Sequence, residues 1–230
     1  MKNRWELLFT VLRSSSDHPN LSSVILTLVD ARTVGLATLR SRIAVIPQDP
    51  ILFSGTVRTN LDPFDQYEDK QLYEVLFRVG LYYASKTGDG VGRNYSSASL
   101  SSMASQSQIQ SLDDLVSEGG INFSVGQRQL LVIARALLRG ASIVMIDEAT
   151  ASVDADTDAR IQQVMKSEFS KSTCITVAHR LNTIIDSDYI LCMDDGRAVE
   201  FDSPQALLKR STSLFKELVE ASANSGILVE

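Results

Sequence analysis

The sequence predicts an α/β fold built on a largely parallel sheet. Two observations carry that prediction. Short apolar runs of strand length, "SRIAVIPQDP", "SIVMID" and "TCITVAH", alternate with stretches whose apolar residues recur at helical spacing. Each run also ends in a polar or ionisable residue, Gln48, Asp147 or His179, as at a sheet edge where ligands bind. The 230 residues, 44% of them hydrophobic, suffice for one sizeable core and a small satellite region.

The elements follow in order. Near the start, Trp5, Leu8, Phe9 and Leu12 fall at helical spacing, which predicts a buried amphipathic helix. Residues 24–29, "VILTLV", read as a strand, and 41–46 as another, stopped by Pro47 and Pro50. Residues 68–79 place Leu72, Val75, Leu76 and Val79 on one helical face. Residues 85–111 are mostly Ser, Gly, Asn and Gln, too polar to offset the entropy of ordering, and read as a flexible insertion. Leu130, Leu131, Ile133, Ala134, Leu137 and Leu138 make a wide stripe on a helix running to Arg139, with Gly140 where a left-handed cap belongs. "SIVMID" is continuously apolar, as for a strand covered on both faces. Ile161, Val164 and Met165 mark a helix, and "TCITVAH" a further buried strand. "YILCMDDGRAVEF" reads as a hairpin turning at Asp195-Gly196, and Ser203-Pro204 as the start of the next helix.

Composition excludes several classes. The net charge of −6, with no basic run, argues against a nucleic-acid partner. No apolar run approaches the ~20 residues of a membrane-spanning helix. The first residues lack the small-residue cleavage pattern of a signal peptide. The two cysteines, Cys174 and Cys192, sit in strand-like runs without metal-ligand spacing and read as buried reduced thiols.

Two stretches carry chemistry. In "FSVGQRQ", Ser124 offers a hydroxyl and Gly126 permits close backbone approach. Both lie at the start of a helix, whose unpaired N–H groups and dipole favour an anion. In "IVMIDEA", an apolar strand delivers Asp147 and Glu148 to the carboxyl edge of the sheet. One acid can hold Mg²⁺, and its neighbour can polarise an attacking water. His179 could donate to a terminal phosphate, and Gln48 could touch metal or water. Each also has a plain structural reading, as a cap, a solvated strand end or a loop.

Taken in order, these segments resemble the nucleotide-binding domain of an ATP-binding cassette transporter. "IPQDP" is similar to the Q-loop, "FSVGQRQ" to the signature motif, "IVMIDE" to Walker B, "ASVD" to the D-loop and "AHR" to the switch-histidine loop. "GTVRTNLDPF" and the valine in the signature most resemble the second cassette of the C family, the multidrug-resistance-associated exporters. The resemblance implies a P-loop NTPase-like, mostly parallel sheet with a helical signature subdomain. It implies ATP and Mg²⁺ as cofactors, and a second cassette and transmembrane domains as partners at the cytosolic face of a membrane. It also implies roles. Asp147 acts on Mg²⁺ with Gln48. Glu148 is the base, and His179 meets the γ-phosphate. Asp154 communicates across the cassette dimer. Ser124, Gly126 and Gln127 cover the nucleotide of a facing cassette.

The pattern breaks at one place. None of the 12 glycines is followed by lysine, so the G-x-x-x-x-G-K-[ST] loop is absent from this sequence. "ELLFTVLR" resembles the helix that follows this loop in the family, which would put the lysine position near Arg4 and leave the amino-terminal strand missing. The chain is thus expected to be a partial cassette over residues 1–230, interrupted by the 85–111 insertion. It should have weak nucleotide affinity, negligible turnover and marginal stability. The alternatives are a non-enzymatic module lending its signature to a partner's ATP, or a soluble cassette ATPase. The latter would predict a long coiled-coil insertion or a basic surface.

Overall fold

A computed structural model describes residues 7–12, 35–82, 109–147, 153–178 and 184–224. The expected strand at 24–29 lies outside these residues, as do Glu148 and His179. The chain divides into two compact units. A sheet unit takes 1–48, 140–151 and 169–230, and a helical unit takes 49–139 and 152–168.

The sheet unit contains β1 (Leu7–Leu12), α1 (Leu36–Arg42), β2 (Ile43–Ile46), β5 (Ile143–Asp147), β6 (Thr173–Ala178), β7 (Tyr189–Asp194), β8 (Arg197–Asp202), α6 (Pro204–Lys209) and α7 (Leu214–Asn224). Its six strands lie in the order β2-β5-β6-β1-β7-β8. β2, β5 and β6 are parallel, as the alternating pattern predicts. β1 is antiparallel to both β6 and β7, so β7 runs with β6, and β8 returns as the second arm of a hairpin. Positive φ at Asp195 (48°) and Gly196 (75°) makes the hairpin turn where the sequence placed it.

Two expectations need correction here. Residues 7–12 form a strand, not an amphipathic helix. "LLFTVL" is a short apolar run containing an aromatic and two β-branched residues, a pattern that periodicity alone cannot divide between helix and strand. Pairing on both sides decides it, because β6 and β7 would otherwise present unpaired N–H and C=O groups to each other. Second, among the described residues β5 is covered on one face only. Ala44, Ile46, Val144, Ile146 and Cys174 share the buried face, whereas Val45 (59% exposed) and Met145 (39%) pair with each other on the opposite face. On the buried face, Ile190 and Cys192 join Ile184, Leu207 and Phe215 in a core beneath α6 and α7. Glu200 of β8 fixes α7. Its carboxylate accepts from the N–H groups of Leu214 (3.0 Å) and Phe215 (3.1 Å) and from the Ser213 hydroxyl (3.1 Å).

The helical unit contains a two-stranded ribbon, β3 (Gly55–Thr56) with β4 (Leu115–Val116), and helices α2 (Val57–Leu61), α3 (Asp69–Arg78), α4 (Val125–Arg139) and α5 (Ala155–Glu168). Helix α4 is the hub, packed against α2, α3 and α5. The predicted stripes supply its core: Leu72, Val75 and Leu76 from α3 with Val79 just beyond it, and Leu130, Leu131, Ile133 and Ala134 from α4. Gly140, at φ 58°, ends α4 in the left-handed conformation expected of it. Residues 85–108 of the expected insertion lie outside the described residues. Its last residues are ordered: Ile109 is buried, and its N–H donates to the Leu81 carbonyl at 3.2 Å.

Candidate functional site

In the sheet unit, the ends of parallel strands gather the sequence-predicted residues. The register pairs Ile46 with Ile146 and Asp147 with Val177. Neighbouring strands lie about 5 Å apart. The residue positions after β2 and at the end of β5 therefore share one edge with the end of β6. Gln48 is exposed two residues beyond β2, after Pro47. Asp147 is exposed at the last position of β5, on the Met145 side. Among the described residues no group of three potential metal-binding side chains occurs. Mg²⁺ prefers oxygen donors. Asp147 and Gln48 offer such donors at this edge, so the donor chemistry fits in part. The phosphate cradle does not fit, because no Gly-Lys pair exists in the sequence.

In the helical unit, the start of α4 is built by a reciprocal cap. The Gln127 N–H donates to Ser124 Oγ at 3.2 Å, and the Ser124 N–H donates to Gln127 Oε1 at 2.8 Å. Four N–H groups at a helix start lack intrahelical partners. The cap satisfies those of Ser124 and Gln127. Those of Val125 and Gly126 remain directed toward the amino end, beside the exposed Ser124 hydroxyl. This arrangement offers two backbone donors and a hydroxyl to an anion.

Gly126 itself is buried. A Cβ there would overlap Thr157 Cγ2 and stand 3.6 Å from Val153 Cγ1. The glycine is therefore needed for α4 to meet the start of α5. Asp154 is exposed and caps α5, accepting from the Thr157 N–H at 3.0 Å. The backbone and side-chain hydrogen bonds from Thr157 hold its carboxyl below the usual carboxylate range. The reading of motifs singled out Asp154 and Gly126 but not Thr157, which touches both. An Asp followed three residues later by Thr at the head of a helical pattern was the available signal.

A second group was also missed. Asn60, nearly fully buried, accepts from the Phe53 N–H (2.9 Å) and from Arg135 Nη2 (2.7 Å), and donates to the carbonyls of Phe53 (2.8 Å) and Thr56 (3.0 Å). Arg135 of α4 also donates to the Ile51 carbonyl (2.8 Å), and burial lowers its pKa. The network holds the 51–60 segment, which follows Gln48 and displays Ile51 and Phe53 (69% exposed) to solvent.

Comparison with known proteins accords with this geometry. The ABC transporter family matches residues 23–151, more than half of the chain. ABC transporter C family member 8 of Dictyostelium discoideum is 47% identical over 194 residues, 84% of this chain and 11% of that protein. The ATP-dependent bile acid permease of Saccharomyces cerevisiae is 43% identical over 224 residues, 97% of this chain and 13% of that protein. The probable multidrug resistance-associated protein lethal(2)03659 of Drosophila melanogaster is 47% identical over 205 residues, 88% of this chain and 13% of its own length. The chain thus spans about an eighth of the length of such relatives. Among the described residues, no helix is long and apolar enough to cross a membrane. The chain belongs to the ABC transporter family, as a nucleotide-binding domain of the C-family, multidrug-resistance-associated type.

Proposed function

We propose that residues 1–230 act as the signature-bearing part of an exporter's second ATP-binding cassette. They contribute Ser124, Gly126 and Gln127 to an ATP held by a facing cassette, and by themselves do not turn ATP over. The observation that carries this reading is the cap at α4. It leaves the Val125 and Gly126 N–H groups and the Ser124 hydroxyl to meet an anion at the helix start. The rest of the nucleotide machinery is divided. Asp147 and Gln48 supply oxygen donors suited to Mg²⁺, and Glu148 and His179 are assigned as base and γ-phosphate contact by motif position. When bound, Mg²⁺ would neutralise charge on the phosphates. No lysine ammonium or glycine-rich nest accompanies these residues in this sequence, so β-phosphate binding lacks its principal donors. Arg4 is a poor replacement, because its planar fork does not suit a site shaped for a point charge.

The exposed Ile51 and Phe53, held on a fixed loop, fit a transmembrane-domain partner on the same unit. Such a partner would couple ATP binding and hydrolysis in the cassette pair to transport at the cytosolic face of a membrane. The test is a nucleotide titration and turnover assay on the chain. ATP affinity in the sub-millimolar range would refute the reading, as would turnover abolished by Glu148→Gln. The expected result is ATP-dependent association with a lysine-loop-bearing C-family cassette whose hydrolysis is blocked.

A further inference from the structure

We propose that Thr212 is a phosphorylation site, read by a serine/threonine kinase with an acidic peptide groove, and that the added phosphate loosens the start of α7. The inference does not depend on the function proposed above. Ser211, Thr212 and Ser213 follow Lys209 and Arg210 in the turn between α6 and α7. An acidic groove reads basic side chains two and three residues ahead of the acceptor hydroxyl. Here that spacing falls on Thr212. Burial separates the hydroxyls further. Ser213 is fully buried and engaged: its Oγ donates to Glu200 Oε2 at 3.1 Å and accepts from the Lys216 N–H at 3.3 Å. Thr212 is exposed, as are Lys209 and Arg210. Arg210 is extended (φ −75°, ψ 134°), as a peptide groove requires, and Lys209 ends a helix of six residues, whose last turn opens at little cost. Arg210 pairs with Asp202, but half of its side chain stays exposed, and exposed pairs of this kind part readily.

In the transfer, the Thr212 hydroxyl oxygen attacks the γ-phosphorus of ATP. The bond from that phosphorus to the bridging oxygen breaks, ADP leaves, and the hydroxyl proton passes to the kinase's base. The product carries close to two negative charges at pH 7. A phosphate at a helix start ordinarily finds free N–H groups and stabilises the helix. At α7 those groups are taken. The Glu200 carboxylate accepts from the N–H groups of Leu214 (3.0 Å) and Phe215 (3.1 Å), and Ser213 Oγ accepts from that of Lys216. Thr212 adjoins Ser213, which touches Glu200, so phosphate and carboxylate stand within the ~10 Å over which charges act at moderate salt. Nearby cations are engaged, Arg210 with Asp202 and Lys216 with Glu220. The repulsion falls on Glu200, and the first turn of α7 loses its cap. That turn carries Phe215, fully buried against Ile184, Ile190, Cys192 and Leu207, so the charge is felt in the core beneath α6 and α7.

The test incubates the full chain with ATP and the catalytic subunit of cyclic-AMP-dependent protein kinase, a probe with an acidic groove, and maps phosphate by mass spectrometry. Thr212 is expected to carry it and Thr212→Ala to lose it. Removing both basic side chains, Lys209→Ala with Arg210→Ala, should slow the transfer about tenfold. Absence of phosphate from Thr212 overturns the site, as does an unchanged rate without the two basic residues. In the phosphorylated chain, amide exchange at Leu214 and Phe215 should rise about tenfold while the β5 amides stay protected. Exchange that is unchanged or slower at both positions overturns the loosening. Glu200→Gln removes the opposing charge and keeps an acceptor, so phosphorylation of that variant should not raise exchange. An equal rise there overturns the repulsion argument. Should Glu200→Gln fail to fold, ionic strength decides: the rise in the wild-type chain must shrink with added salt, and a salt-independent rise overturns the argument.

Discussion

Replacing Gly126 by alanine asks how much of this glycine's presence is owed to helix packing. The added Cβ would overlap Thr157 Cγ2, while Thr157 Cβ at 3.5 Å and Val153 Cγ1 at 3.6 Å are in ordinary contact. The obstruction is thus a single methyl. Overpacking of this kind costs about 1–3 kcal/mol, against which alanine recovers less than ~1 kcal/mol of helix propensity. A net loss of about 1–2 kcal/mol should lower Tm by roughly 3–6 °C in a chain of this size. Thr157→Ser removes the obstructing methyl and keeps the backbone N–H bond to Asp154, and alone loses about 0.8 kcal/mol of burial. Combining the two moves one methyl from α5 to α4 at constant volume. Thermal denaturation of the double variant should therefore fall within about 2 °C of wild type. The compensation appears in the mutant cycle as a coupling of about 2 kcal/mol. Additive losses would refute the packing argument. If instead the double variant is stable yet fails to associate with the ATP-loaded cassette, the glycine is needed for close approach of the nucleotide as well.

Three further outcomes are expected. Cys174, whose thiol burial pushes up to about 11, should react with a thiol reagent at pH 8 about a hundredfold more slowly than a free cysteine. Because the folded value is raised, its contribution to stability is whole below the unfolded thiol's pKa and is lost as pH rises through about 11, which alkaline unfolding will read. Asn60→Ala strips partners from half-buried Arg135 and from the Phe53 N–H, so a loss of about 2 kcal/mol is expected, with exchange protection lost across 51–60. Asp154 has a depressed folded pKa, so its capping contribution is present above the unfolded carboxylate value and vanishes as pH falls through the folded one. Acid unfolding of Asp154→Asn should lack that increment, and an unchanged acid limb would contradict the cap.

The sequence made some features legible because one local rule decided each of them. Gly140 and Asp195-Gly196 had to take positive φ, and they do. Ser203 before Pro204 had to cap a helix, and its hydroxyl accepts from the Ala206 N–H at 3.3 Å. Ser124 followed three residues later by Gln127 is a reciprocal cap visible in the text itself. Thr157 and the Arg135–Asn60 network were hidden because their meaning lies across long sequence gaps. Nothing near residue 60 announces that Arg135 will bind it, and nothing near Gly126 names its neighbour on α5. The open face around Val45 and Met145 was misjudged for a related reason. An uninterrupted apolar run fits burial on both faces, but only the packed neighbours decide whether the second face is covered.

The direction of β1 decides which of its ends lies at the edge that carries Asp147. A phosphate loop must leave its strand at the edge where the parallel strands end, because that is where the metal-binding and catalytic groups project. β1 pairs Leu8 with Ala178, near the end of β6, and Leu12 with Cys174, near its beginning. The chain therefore leaves β1 at the edge opposite Asp147. The expected lysine position near Arg4 comes before β1, so the direction of β1 does not by itself separate that position from the Asp147 edge. Central placement between β6 and β7 satisfies the backbone groups of both strands. It does so with a reversed strand, and the sequence ahead of that strand holds no Gly-Lys pair. The absence of a Gly-Lys pair from this sequence supports the view that residues 1–230 contribute to a nucleotide bound by another cassette. It also gives that view a structural test. A nucleotide-bound crystal form with residues 7–12 running parallel to β6 and a loop folded over ATP would remove the argument at its root.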